Sequence, residues 1–217
     1  MAKPITKVFD THCTRCPRLA EFLSVGKHEY PAYHCGPVAP FGDPQARLII
    51  VGLAPGFHGA NATGRPFTGD YAGILLYDTL YRYGFATAPT SVSISDGLQL
   101  INARITNAVK CVPPENKPTP AEIAQCNEYL KTELQSLSKP SVMLALGTIA
   151  HGAVLKAFAL KVGNYKFSHG AEHDLPNGHV LLNSYHCSRY NTNTRRLTET
   201  MFHQVFERAQ SLLMKMA

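Results

Sequence analysis

Four cysteines of this 217-residue sequence have the type and spacing to hold a metal. Cys13 and Cys16 form a Cys-x-x-Cys pair, and Cys111 and Cys126 flank a Pro-rich loop, Pro113-Pro114 to Pro120, that would bring them together. Four thiolates accept either zinc or an iron-sulfur cluster, and ligand count does not separate the two. The plainer alternative makes Cys126 a core thiol and Cys13 and Cys16 a surface pair. Cys35 and Cys187 fall outside the set and read as free thiols. A second feature is the stretch from Ala54 to Gly73, which carries five glycines and two prolines and has a single carboxylate, Asp70. Loops of that length without regular structure are commonly functional.

Positioning these groups requires a scaffold, and the chain alternates strand and helix patterns. Arg47 to Gly52 is a short β-branched run of the kind buried on both faces of a sheet. Ile74 to Tyr83 reads as a helix and Ile105 to Val112 as a second strand, with Cys111 near its end. Thr119, Pro120 and Glu122 make a capping box at the start of the next helix, whose apolar positions Ile123, Cys126, Leu130, Leu134 and Leu137 turn Cys126 inward. Ser141 to Leu146 gives a third strand, Gly147 to Leu160 a helix, His179 to Ser184 a fourth strand, and Thr198 to Met216 a closing amphipathic helix. The expected fold is α/β: one domain over residues 1–217, a three-layer α/β/α sandwich around a central four-stranded parallel sheet. Ligands of such open sheets sit beyond the carboxyl ends of the strands, which is where the loops after strands one, two and four lie.

Composition agrees with a globular chain: 45% of residues are hydrophobic and 17% charged, and no run approaches the ~18 apolar residues of a membrane span. The formal net charge of +6, from 21 Lys and Arg against 15 Asp and Glu, suits a polyanionic partner without proving one. No secretory signal is visible at the start, so a cytoplasmic location is the default expectation, with six cysteines reduced rather than paired.

Val51 to Asp70 (Val-Gly-Leu-Ala-Pro-Gly-Phe-His-Gly-Ala-Asn-Ala-Thr-Gly-Arg-Pro-Phe-Thr-Gly-Asp) resembles the first motif of the iron-sulfur uracil-DNA glycosylases, particularly their B type, also called family 5. Thr106 to Pro114 is similar to that family's second-strand motif, Leu146-Gly-Thr148 to its third-strand turn, and His186 to Thr194 to its final motif. The resemblance spans the chain from Cys13 to the last helix. It implies that Cys13, Cys16, Cys111 and Cys126 hold a 4Fe-4S cluster, which ties an N-terminal segment of about residues 1–46 to the domain. Two positions depart from the wider family. Leu53 stands where A-type relatives are expected to carry a glutamate, itself a B-type trait, and Cys187 stands where a proline usually follows the histidine.

On that resemblance the remaining residues acquire expected roles. Phe67 would stack on a base taken out of the duplex, and the Asn107 amide suits the O4 and N3–H edge of uracil. Gly52, Ala54, His58 and Asn61 complete the expected base-binding set. Asp70 would stabilise the sugar cation or orient the attacking water, and His186 would donate a hydrogen bond to O2 of the leaving base. Arg65, Ser188, Arg189, Tyr190, Asn191 and Arg195 are expected to meet DNA. The implied activity is a monofunctional DNA glycosylase that excises uracil, and other deaminated bases such as hypoxanthine, from DNA and leaves an abasic site; a monomer is the default expectation. A zinc-bearing nucleic-acid-binding protein and an enzyme of free nucleosides are the rival readings; the first leaves the pairing of the Asp70 and His186 loops unexplained, whereas the second would use the same pocket chemistry and would be opposed by a strong salt dependence of substrate affinity.

Overall fold

The computed structural model describes residues 9–216. Its sheet has six strands in the order β1-β3-β2-β4-β6-β5, formed by β1 (Phe41–Gly42), β2 (Leu48–Gly52), β3 (Ala103–Asn107), β4 (Val142–Leu146), β5 (Glu172–Asp174) and β6 (Val180–Ser184). The inner four run parallel, as the patterns indicated, and all their residues are buried. The expected count of four strands needs correcting by the two edges. β1 and β5 are antiparallel, two and three residues long, and incompletely buried, too short to leave an apolar periodicity.

Helices cover both faces. Along β2, Leu48 and Ile50 face a core shared with α3 (Tyr71–Arg82) and α7 (Glu199–Lys215), through Leu76, Leu80, Phe202 and Phe206. Ile49 and Val51 face the other layer, α4 (Pro120–Gln135) and α5 (Thr148–Ala157), through Leu130, Leu134, Val154 and Leu155. Alternation along a strand buried on both sides thus builds two cores at once. The capping box at Thr119 is present in full, with the Glu122 backbone N–H donating to Thr119 Oγ1 at 3.2 Å and the Thr119 N–H to Glu122 Oε2 at 2.7 Å.

Three boundaries differ from the sequence expectation in ways that bear on the site. Helix α3 begins at Tyr71 rather than Ile74, because Asp70 caps it. Strand β3 ends at Asn107 rather than Val112: the Lys110 N–H turns to Cys126 Sγ and its carbonyl accepts from Val38, so Cys111 lies in a loop. A further helix, α1 (Pro17–Glu29), starts directly after Cys16 and buries Leu19 beside Val109 and Cys126. Two short helices, α2 (Ala60–Thr63) and α6 (Arg189–Asn193), lie within the Gly-rich loop and the loop after β6. No helix among the described residues is long and apolar enough to cross a membrane.

Candidate active site

A cavity of about 410 Å³ opens at the carboxyl ends of β2, β3 and β6. Its lining joins Ala54 and Gly56 after β2, Asn107 at the end of β3, Phe67 and Asp70 from the Gly-rich loop, and His186, Ser188 and Arg189 after β6. Three motifs far apart in sequence therefore share one recess of the size that holds a small ligand.

Close approach of backbone builds the floor. A Cβ on Gly52 would overlap Asn107 Oδ1 and come within 2.8 Å of the Phe67 ring. A Cβ on Gly73, in the first turn of α3, would overlap the Phe67 carbonyl. Phe67 itself sits at φ +53°, a left-handed conformation rare for an aromatic residue. The two glycines leave room for that conformation, which carries the ring over Gly52. Asn107 is almost fully buried, and its Oδ1 has no hydrogen-bond partner among the described residues. An amide oxygen in that condition is costly unless a ligand supplies a donor.

Asp70 is at once cap and wall. Its Oδ1 accepts from the Gly73 N–H at 2.9 Å, while the carboxyl group leans on Gly59, where a Cβ would stand 2.7 Å from Oδ2. Burial raises its pKa above the ordinary carboxylate value, opposed by the backbone N–H groups of Gly73 and Ala72. Across the cavity the His186 ring stacks on Phe67 with centroids 5.8 Å apart and planes 27° from parallel. Loss of solvation pushes His186 down to about 4, so its imidazole is neutral at physiological pH. Asn191 Nδ2 donates to the His186 carbonyl at 2.8 Å, and Cys187 Sγ–H donates to the Ala72 carbonyl at 3.4 Å, tying the histidine loop to α3. Cys187 is thus a fully buried core thiol.

Several expected contacts are not in the cavity. Arg65 is buried, paired with Asp96 at 2.8 Å and stacked over Phe41, so it is not part of a basic rim. Asn61 is fully buried, and its amide donates to the Phe57 carbonyl at 3.3 Å and to Cys35 Sγ at 3.5 Å. His58 points away from the recess, with Nδ1 3.0 Å from the Tyr33 hydroxyl. These three belong to the Gly-rich loop that supports the cavity, with Asn61 and Arg65 buried in the protein and His58 turned to Tyr33. Arg189 does line it, lying 5.0 Å above the Tyr71 ring. Ser188 caps α6, Tyr190 is 72% exposed at its start, and Arg195 lines a neighbouring groove beside Tyr71.

The four expected thiols line a separate cavity with Arg15, Leu19, Val109 and Tyr129. All six cysteines are unpaired. Among the described residues, no group of three or more His, Cys, Asp or Glu side chains is arranged to share a single metal ion. The short segment from Asn107 to Cys111 joins the two cavities.

Residues 39–210 match the sequence profile described as the uracil DNA glycosylase superfamily. The chain belongs to that superfamily. Over 93% of its length it is 45% identical to a type-5 uracil-DNA glycosylase of Thermus thermophilus, covering 94% of that protein. A type-5 enzyme of Pyrobaculum aerophilum is 41% identical over 91% of the chain and 88% of its own length, and one of Mycobacterium bovis 42% over 92% and 78%. As a uracil-DNA glycosylase superfamily member the chain is a hydrolase of N-glycosyl bonds. In this glycosylase the lining residues outside the expected set include two with polar side chains. Asn116 stands at the rim with φ +57°, and Tyr71 begins α3. The Pro-Pro-Glu-Asn turn after Cys111 was the available signal for Asn116.

Proposed function

We propose that this glycosylase excises uracil from DNA, and by the same recognition other deaminated bases including hypoxanthine, by hydrolysis of a flipped-out nucleotide. The observation that carries the reading is the buried, unpartnered Asn107 Oδ1 beside Phe67. Uracil presents an N3–H next to C4=O, and hypoxanthine an N1–H next to C6=O. One amide meets either pattern, its oxygen accepting the N–H and its NH₂ donating to the carbonyl. Cytosine and adenine, the parents of these bases, carry the opposite pattern and, with the amide oriented as it is here, leave Oδ1 unsatisfied. Guanine and thymine share the lactam, so discrimination against them rests on the lower cost of extruding a mispaired base.

In the reaction the glycosidic electron pair leaves on the base, water adds at C1′, and the proton lost by water ends on the base. Asp70, ionised, faces the sugar cation and the incoming water. His186, neutral, donates to the base oxygen as charge grows there. Strand cleavage through a Schiff base would need an amine nucleophile. Lys110, the lysine within the matched motifs, is buried and bonded to Thr106, with Nζ 3.4 Å from Glu133, and among the described residues no lysine lines the cavity. Arg189, Tyr190 and Arg195 offer charge and a ring to the DNA backbone and the vacated stack.

The thiol cavity fits a 4Fe-4S cluster. Support comes from four cysteines on three segments that line one cavity and from a backbone N–H of Lys110 donating to Cys126 Sγ at 3.2 Å. Bound there, the cluster would join α1, the loop after β3 and α4, a structural task outside the reaction.

Release of free base from duplex oligonucleotides tests the function. The expected result is an intact strand with an alkali-labile site from both uracil and hypoxanthine substrates. Release of neither by a folded, DNA-binding preparation would overturn it.

A further inference from the structure

An aromatic cluster outside the cavity is unused by the mechanism. Tyr30, at the end of α1, and Tyr33, in the loop beyond, stack with centroids 4.7 Å apart and planes 22° from parallel. Phe57 meets Tyr30 edge-on at 5.5 Å and rests on Gly26 of α1, where a Cβ would stand 3.1 Å from its ring. His58 closes the group, 5.6 Å from Tyr30 and 5.9 Å from Tyr33, both edge-on. Tyr30 and His58 are exposed, and Tyr33 and Phe57 are half-buried. Lys27 Nζ donates to the Tyr33 carbonyl at 2.5 Å, which fixes the loop and adds positive charge beside the rings.

The cluster is continuous with the base cavity. Gly56 lines that cavity and Gly59 rests against the Asp70 carboxyl group, yet Phe57 and His58 between them face the tyrosines. One four-residue turn therefore has the reacting sugar on one side and stacked rings on the other. Arg189 lines the same cavity and Arg195 the neighbouring groove, both suited to phosphates.

We propose that the Tyr30–Tyr33 pair, braced by Phe57 and His58, is a stacking platform for a nucleobase of the damaged strand close to the flipped one. The inference rests on the glycosylase reading and extends it to the flanking strand. Every base has a π-face, so the platform accepts any sequence, and it serves a strand whose neighbouring bases are unstacked. Stacking neutralises no phosphate, so its contribution is independent of salt.

The test uses the full chain and single-stranded oligonucleotides with a tetrahydrofuran abasic site. 2-Aminopurine is placed singly at each of the nearest positions on both sides. The expected result is fluorescence quenching at positions on one side only. Tyr30→Leu and Tyr33→Leu, which keep apolar contact with Phe57 but present no ring face, should abolish that quenching. They should also weaken binding by about fivefold or more, by the same factor at low and high salt. Tyr30→Phe and Tyr33→Phe should retain both properties and show that the variants' fold is not the cause. Absence of one-sided quenching in the unmodified protein, or undiminished affinity in both leucine variants, would overturn the platform. Uracil release assayed in parallel separates the two readings. Release without quenching overturns the platform alone, whereas quenching without release supports the platform and removes the glycosylase reading.

Discussion

The ring of Phe67 stacks on the imidazole of His186 at 5.8 Å, although 119 positions of sequence, 67 to 186, separate them. One belongs to the loop after β2 and the other to the loop after β6. Their contact exists because β2 and β6 both pair with β4 and end at the same edge of the sheet. A base seated on Phe67 would thus lie near His186, the group proposed to stabilise its departing charge.

Gly52→Ala should leave β2 intact and damage recognition. The added methyl meets Asn107 Oδ1 and the Phe67 ring together, and both can yield only by leaving the floor of the cavity. Loss of a buried hydrogen bond of ~1–3 kcal/mol corresponds to a fall of about tenfold to a hundredfold in kcat/KM. Base-release kinetics on a uracil duplex measure it, and wild-type kcat/KM would show that Asn107 is not the reader.

Asp70→Asn should retain the helix cap and lose the rate. The amide oxygen still accepts from the Gly73 N–H, but the negative charge facing the sugar is gone, an electrostatic loss of about 10²–10³ in single-turnover rate. Because burial raises the Asp70 pKa, its ionised form is disfavoured in the folded protein. Stability associated with the protonated carboxyl is present at low pH and lost as pH rises through the raised pKa. The asparagine variant should therefore melt at or above the wild-type temperature at pH 7, whereas Asp70→Ala, lacking the cap, should lose about 1 kcal/mol relative to it.

The acid limb of the rate profile should belong to Asp70. His186 stays neutral until pH approaches about 4, so a decline in single-turnover rate that sets in above that pH follows protonation of the carboxylate, whose pKa burial raises. His186→Ala should be slow but keep that limb, and the residual rate of Asp70→Asn should lack it. In stability the sign is opposite to that of Asp70. The depressed His186 pKa gives full stability above the ordinary histidine value of 6.5, lost progressively as pH falls toward about 4. Thermal melts of His186→Ala should accordingly depend less on pH in that window.

Arg65→Ala should act on stability and leave the salt dependence of DNA binding unchanged. Arg65 and the N–H groups of Val92, Ser93 and Leu98 hold the Asp96 carboxyl below the usual carboxylate range despite the opposing effect of its burial. Removing the guanidinium leaves a buried charge without its counter-ion, a loss of ~3 kcal/mol measurable by urea unfolding. A reduced slope of log Kd against log salt would instead mark Arg65 as a phosphate contact.

Cys126→Ser should lower bound iron and free the N-terminal region without dismantling the sheet. Hydrogen exchange should rise in α1 and in the loop after β3, while β2 and β4 remain protected. Full iron content in the variant would remove Cys126 from the ligand set.

The alternation of apolar strands and amphipathic helices determined the parallel inner sheet and its two covering layers. The Thr119, Pro120 and Glu122 signal was local enough to specify a helix start to the residue. The motifs also named Phe67, Asp70, Asn107 and His186, because Asn107 ends a legible strand and the other three belong to loops that follow one. The edge strands β1 and β5 were not legible, since two or three partly exposed residues carry no period. Nor could loop sequence separate Arg65, Asn61 and His58 from the cavity wall: neighbours in the Gly-rich loop turn to opposite sides, and the direction of each depends on partners supplied elsewhere, Asp96, Cys35 and Tyr33. Sequence determines which elements form because hydrogen bonding and apolar periodicity are local. Which side chains converge at the site was decided by strand order, helix packing and the close approach of Gly52 and Gly73, contacts that exist only when the chain is folded.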